Sequence, residues 1–368
     1  MYVENDKISS RQTMRLYVFD LMGIATLLLP PYLARLCGAN GMYAIAFGTG
    51  AALLYLLYLG WVMKQMKKDL FAYLREEVSA GVRKGMLLIV VGHSILTAGF
   101  CSYVFANLMK YSLVADTSYA VILFCIIVTA VYAVSGGIES RARVYEVLFW
   151  LILIPFFAMM LSATRDFEWA HIAPVTQWTD TNLGNGTYLV FLFFTPLFFV
   201  LFLIGEKEKN YGRNIVKTVL ASVLFSAFVL LASYVLLVGN FGVNGLIELR
   251  FPVITLMSTI QFEGNFLKRM DALMLAVWFF TLYALLNLHL HYGARLLQEM
   301  CRKQRKKWKW WQLVLPSGGA FAVAYAMYAN RGWLSAFLWY YSHLAVPFMV
   351  VVPIFVLLVR RDRNEKQV

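Results

Sequence analysis

The sequence predicts an all-α membrane protein, a single bundle of ten transmembrane helices built as a five-plus-five inverted repeat. Three observations predict it. Of the 368 residues, 61% are hydrophobic and only 14% charged, a balance that no water-facing globular surface accommodates. Apolar runs long enough to cross about 30 Å of hydrocarbon recur along the whole chain. Finally, the first run and the sixth carry helix-interrupting residues at corresponding places in the two halves. Such paired interruptions mark inverted-repeat membrane folds whose ligand site lies near the midplane.

The runs fall near 14–37, 42–63, 85–110, 118–135, 144–164, 187–204, 215–238, 270–297, 312–329 and 333–359. The first is interrupted by Asp20, Gly23, Pro30 and Pro31. It also carries no small-residue cleavage site, and Glu4 and Asp6 precede it, so the sequence predicts a retained helix and no signal peptide. Span six is broken by Thr195-Pro196, and spans seven to ten complete the second half. With the N-terminus inside, 26 of the 33 Lys and Arg residues fall on the cytoplasmic side and 7 on the other, which places both termini in the cytoplasm.

Between the spans, residues 64–81 carry Leu70, Leu74 and Val78 at helical spacing and predict a helix lying at the cytoplasmic interface. The stretch 239–268 is long and mixed, with Pro252, and reads as an external lid or as packing over the bundle. Residues 302–311 are basic and then aromatic, and 360–368 form a basic tail. Both patterns are those of positive-inside, lipid-facing segments, so the net charge of +13 implies contact with membrane lipid and not with nucleic acid.

The composition and motifs exclude other classes. The four cysteines, Cys37, Cys101, Cys125 and Cys301, show no paired spacing and read as small core hydrophobes. His289 and His291 lie two apart, on different helical faces, so no metal site is predicted. No HExxH, GxSxG or GxxxxGK[ST] pattern occurs, and neither enzymatic activity nor a cofactor is expected.

The candidate ligand site starts at the first interruption. If the helix unwinds around Met22–Thr26, the freed N–H groups of Gly23, Ile24, Ala25 and Thr26 begin a half-helix whose positive end suits a carboxylate. The other reading of the same residues is a proline kink with a tight helix crossing at Gly23. In span six, carbonyls released at Phe193, Phe194 and Thr195 by Pro196 would receive an ammonium group or a cation, against the alternative of an ordinary proline kink. His93, Thr97 and Phe100 share one face of span three, and Tyr283, Asn287 and His291 form a polar stripe on span eight that should face the bundle. Asp20 and His291 are candidate proton- or cation-coupling groups, Asp20 having Arg15 as an alternative partner.

Several short motifs add a resemblance. Ile8-Ser9-Ser10-Arg11-Gln12, Gly23 through Leu29-Pro30, Gly137-Ile138-Glu139 leading to Arg143 and Glu146, Ala173-Pro174-Val175, and Arg269-Met270-Asp271-Ala272-Leu273 with Trp278 occur in this order. In order and spacing they resemble the B subunits of endospore nutrient germinant receptors, spore germination permeases of the amino acid/polyamine/organocation transporter superfamily. The resemblance implies a LeuT-like bundle with broken helices one and six and a small nutrient, commonly an amino acid, bound between them. It also implies A and C partner subunits and residence in the spore inner membrane. Two departures stand out. Ile24 and Ala25 replace a Thr-Gly, and Thr195-Pro196 stands where the family often has Gly-Glu, which removes an acid from the ammonium side of the site.

Overall fold

The computed structural model describes residues 8–66, 70–172, 182–203, 215–259, 270–301 and 309–358, and apart from a single bridge residue at Ile8 the regular structure in them is helical. Helix α1 (Ser10–Cys37) starts earlier than its apolar run because Ser9 and Gln12 form a capping box. The Gln12 amide donates to Ser9 Oγ at 3.3 Å, and the Ser9 amide donates to Gln12 Oε1 at 2.9 Å. Each bond satisfies a donor that a helix start leaves orphaned.

A short 3₁₀ turn at Gly38–Asn40 leads into α2 (Gly41–Met66). Then come α3 (Leu70–Glu77), α4 (Ala80–Ser112), α5 (Tyr119–Ser135), α6 (Gly137–Ser162) and α7 (Leu183–Leu192). A 3₁₀ segment at Thr195–Phe202 follows α7 directly. The remaining helices are α8 (Ile215–Glu248), α9 (Pro252–Thr259), α10 (Met270–Met300), α11 (Trp310–Ala329), α12 (Arg331–Tyr340) and α13 (Val346–Leu358), with a π-helical turn at Tyr341–Ala345 between the last two. Seven stretches among the described residues are apolar and long enough to cross a membrane, and Tyr119–Ser135 is a shorter apolar helix.

Helix α1 lies against α8, α10 and α6, while α10 packs on α4, and α11 covers α4 from outside. Burial separates core from periphery: 78% of the apolar window in Leu275–Met300 is buried, against 28% in Arg331–Leu358. The last stretch is therefore a wall of the bundle and α10 its centre.

Helix α1 corrects the expectation of a break. It runs as one continuous helix through Gly23–Thr26 and through both prolines. Two interactions hold it. Thr26 Oγ1 donates back to the Met22 and Gly23 carbonyls at 2.9 and 3.2 Å, and accepts from Trp278 Nε1 of α10 at 3.2 Å. Gly23 meets the side chain of Thr281, and an added Cβ would clash with Thr281 Cβ and Oγ1. Gly23 thus serves a close helix crossing, and Pro30 and Pro31 lie inside the helix without ending it. The interruption in span six is real: α7 stops at Leu192, Phe193 and Phe194 form a turn, and the chain resumes as 3₁₀ helix.

Two other segments show what they pack against. Leu70, Leu74 and Val78 are buried within the protein, and Phe71 packs on Phe202 with ring centroids 5.5 Å apart, so the apolar stripe of α3 faces the bundle and not lipid. In the 239–268 stretch, α8 turns at Gly242, whose φ of 66° is readily open only to glycine. Helix α9 then buries Val253, Leu256 and Met257 against the bundle. Ala173-Pro174-Val175, most of the basic run 302–311 and the basic tail lie outside the described residues.

At the N-terminal end of α1 polar contacts gather on Glu146 of α6. Arg11 Nη2 lies 2.5 Å from Glu146 Oε1, Gln12 Nε2 donates to Glu146 Oε2 at 2.9 Å, and Arg15 Nη1 donates to the Glu146 carbonyl at 3.1 Å. These contacts join α1 to α6 at the end opposite the cavity described next.

Candidate functional site

A cavity of about 700 Å³ opens between the C-terminal half of α1, α4, α7 with the turn after it, α10 and α12. Ile24, Leu28 and Pro31 come from α1, Thr97, Phe100, Cys101 and Val104 from α4, Leu192, Phe193 and Pro196 from the helix-six break, and Leu285 and His289 from α10. Phe337 of α12 stacks on Phe100 with centroids 4.7 Å apart and closes one side. The mouth carries Arg35, Asn107, Glu248 and Arg250, and the Arg250 guanidinium donates to Asn107 Oδ1 at 3.4 Å.

The break positions these groups through ordinary backbone accounting. Pro196 has no N–H for the Leu192 carbonyl four residues back, which would leave it orphaned. Thr195 Oγ1 donates to that carbonyl at 2.8 Å, and the Tyr341 hydroxyl reaches it at 3.5 Å. The Thr195 and Tyr341 hydroxyls also bond one another, and Tyr188 of α7 donates to the Ser342 carbonyl. Thus the broken helix is latched to the π-helical turn, a local irregularity common at functional sites. The Phe194 carbonyl is occupied by the Leu197 amide at 3.0 Å, so the expectation of a free carbonyl there does not hold.

Of the expected site residues, Ile24, Thr97, Phe100 and Phe193 line the cavity. Thr195 stands behind it, reaching it through Tyr341. Gly23, Ala25, Thr26 and Phe194 are buried in helix packing. With α1 intact, the N–H groups of Gly23–Thr26 are not the freed donors expected for a carboxylate. Tyr283 and Asn287 lie on a different face of α10 from Leu285 and His289; the Tyr283 ring packs on Phe279 and Phe105. His291 is buried away from the cavity beside Tyr292. Asp20 pairs with Arg141 of α6, not Arg15, and Arg141 Nη2 also donates to the Ala284 carbonyl of α10 at 3.0 Å. Both side chains are buried.

Sequence reasoning missed Arg141, His289 and Tyr341. Arg141 was legible: Ile138, Tyr145 and Phe149 share its helical face, and all are buried. His289 is 2% exposed, lines the cavity, and has no hydrogen-bond partner on either ring nitrogen among the described residues. Nearby, His93 Nδ1 bonds the Tyr340 hydroxyl at 3.0 Å.

A family model described as spore germination protein, of the spore permease type, matches residues 7–332. The chain belongs to the spore permease family. Among curated relatives, this spore permease is 25% identical to spore germination protein B2 of Bacillus subtilis (strain 168) over 357 residues, 95% of this chain and 94% of the relative. It is 21% identical to spore germination protein A2 of the same organism, over 76% of this chain and 77% of the relative. With spore germination protein GerLB of Bacillus cereus it shares 20% identity across 98% of this chain and 96% of the relative. A solved structure of a Na⁺-coupled sialic acid symporter in a substrate-bound outward-open state aligns with TM-score 0.69 at 11% identity, covering 95% of this chain and 79% of that one. That likeness establishes a LeuT-like transporter fold. The spore permease is therefore an integral membrane protein of receptor or transporter type.

The latch gives a first prediction. Tyr341→Phe keeps the ring and removes the hydroxyl that meets Thr195, so it should cost about 1 kcal/mol of stability, the usual net value of one such bond. A thermal melt of the detergent-purified protein checks this, and a variant melting with the parent would mean the latch carries no energy.

Proposed function

We propose that this spore permease is the nutrient-sensing transmembrane subunit of a germinant receptor, binding a small nutrient such as an amino acid in the cavity between α1 and the helix-six break. The observation that carries the reading is the cavity that opens at the interrupted helix Leu183–Phe202, in a chain of this family. Its walls are apolar and aromatic with few polar groups, the usual make-up of a small-molecule site. The proposed architecture is ten helices in two inverted sets of five, with both termini cytoplasmic in the spore inner membrane and A and C subunits as partners.

The mechanism is a population shift. A ligand wedged among Ile24, Phe193 and Phe337 touches α1, the broken helix and α12 at once, and biases whichever arrangement of the three it binds more tightly. The latch from Thr195 to Tyr341 couples movement of the broken helix to the last helix, where a partner subunit would read it.

A proton-coupled amino-acid symporter is the second reading, favoured by the transporter fold. Asp20 and His291 are its proposed coupling groups, although Asp20 is engaged by Arg141 and neither lines the cavity. Deleting the gene should abolish germination toward at least one nutrient in a panel of single amino acids, while the purified protein in proteoliposomes should show no counterflow uptake. Normal germination together with counterflow uptake would overturn the receptor reading in favour of the symporter.

A further inference from the structure

The deep part of the cavity contains no charged side chain among the described residues. Its charges, Arg35, Glu248 and Arg250, sit at the mouth. Asn107, which Arg250 bonds, lies ten residues along α4 from Thr97, about 15 Å by the rise of an α-helix. That distance exceeds the reach of a single amino acid, so a small ligand on the floor does not also touch the mouth.

On the floor, one group is left over by the packing. His289 projects from α10 with both ring nitrogens unpartnered and 2% of its surface exposed. Phe199 packs edge-on against its ring at 5.2 Å, and His93 lies at 6.1 Å. The nearby hydroxyls are engaged elsewhere. Tyr341 is bonded to Thr195, Tyr340 to His93, and Thr97 Oγ1 lies 3.5 Å from His93 Nε2. A buried polar group without a partner is costly, and native proteins keep such groups where a ligand or function explains them. A neutral imidazole offers one donor and one acceptor.

We infer that His289 is the polar anchor for the ligand, hydrogen-bonding its head group on the cavity floor, and that the apolar walls admit an amino acid with an uncharged, apolar side chain. The inference rests on the cavity being the ligand site. His289 then stands in for the acid that the helix-six break lacks at Thr195-Pro196. Ile24, Phe100, Phe193 and Leu285 surround the side chain, and none of them could pair a second charge.

The test uses the full-length detergent-purified protein, with thermal stabilisation read against concentration for L-leucine, L-valine, L-phenylalanine, L-lysine and L-glutamate. At least one of the three apolar amino acids should stabilise the wild type, and the two charged ones should not. His289→Leu should raise the half-maximal concentration about tenfold, the equivalent of one hydrogen bond, while His289→Gln, which keeps a donor and an acceptor, should recover most of the loss. The melting midpoint without added amino acid separates a folding defect from a binding one. Leu192→Trp and Ile24→Trp, which fill the cavity from two different helices, should abolish stabilisation. If the tryptophan variants are blind and His289→Leu titrates like wild type, the anchor is wrong and the cavity reading stands. If the tryptophan variants respond like wild type, the cavity reading itself fails. Stabilisation by lysine or glutamate, or by none of the five, overturns the assigned ligand class.

Discussion

Asp20→Leu should lower the stability of the protein by about 3–5 kcal/mol, because it strands the buried Arg141 guanidinium without a counter-charge. The loss is a large fraction of the about 5–15 kcal/mol to which native stabilities usually amount, so little folded Asp20→Leu protein should accumulate in the membrane. The pair sits where α1, α6 and α10 meet: Arg141 reaches Asp20 on α1 and the Ala284 carbonyl on α10, and its guanidinium lies 5.9 Å from the Tyr145 ring centroid. Removing both charges is a different matter. A buried ion pair gains little net energy over well-packed apolar groups of similar size, because desolvation offsets the attraction. The double variant Asp20→Leu/Arg141→Met should therefore regain most of the single variant's loss in yield and melting midpoint. A double variant as unstable as the single one would show that the cost lies in packing and not in the unpaired charge.

Gly23→Leu should be equally disruptive, for a steric reason. A Cβ on residue 23 would collide with the Thr281 side chain, and the Thr281 carbonyl carbon lies only 3.0 Å from where it would sit. Even Gly23→Ala forces α1 and α10 apart, and over-packing of this kind costs about 1–3 kcal/mol. The larger side chain should exceed that. The expected result is loss of folded protein, not a selectively unresponsive one. Thr281→Gly, which removes the two nearest atoms, should partly rescue Gly23→Ala in a thermal melt. Absence of rescue would mean that the close approach of the backbones, and not the threonine side chain, limits the site.

These two residues show why part of the site was illegible in the sequence. Asp20 and Gly23 were visible as anomalies in an apolar run, yet each had two readings that differ only in what packs against them. A glycine ahead of two prolines describes an unwound ligand cradle as well as a tight crossing. The choice fell to Trp278 and Thr281, more than 250 residues away, which grip α1 in its helical form. Arg141 was legible by its helical face. It shares that face with the buried Ile138 and Tyr145. The spacing of His289 and His291 speaks only against a metal pair, whereas position 289 shares with Leu285 the face of α10 that lines the cavity.

The membrane setting and the weak point in span six follow from local chemistry. Hydrocarbon penalises every exposed charge and backbone group, so apolar runs, the asymmetry of Lys and Arg, and a proline missing its N–H leave signatures in the chain itself. The state of α1, the partner of Asp20 and the membership of the cavity do not. They depend on which distant side chains reach a given backbone group first, and that competition is resolved only when the helices pack.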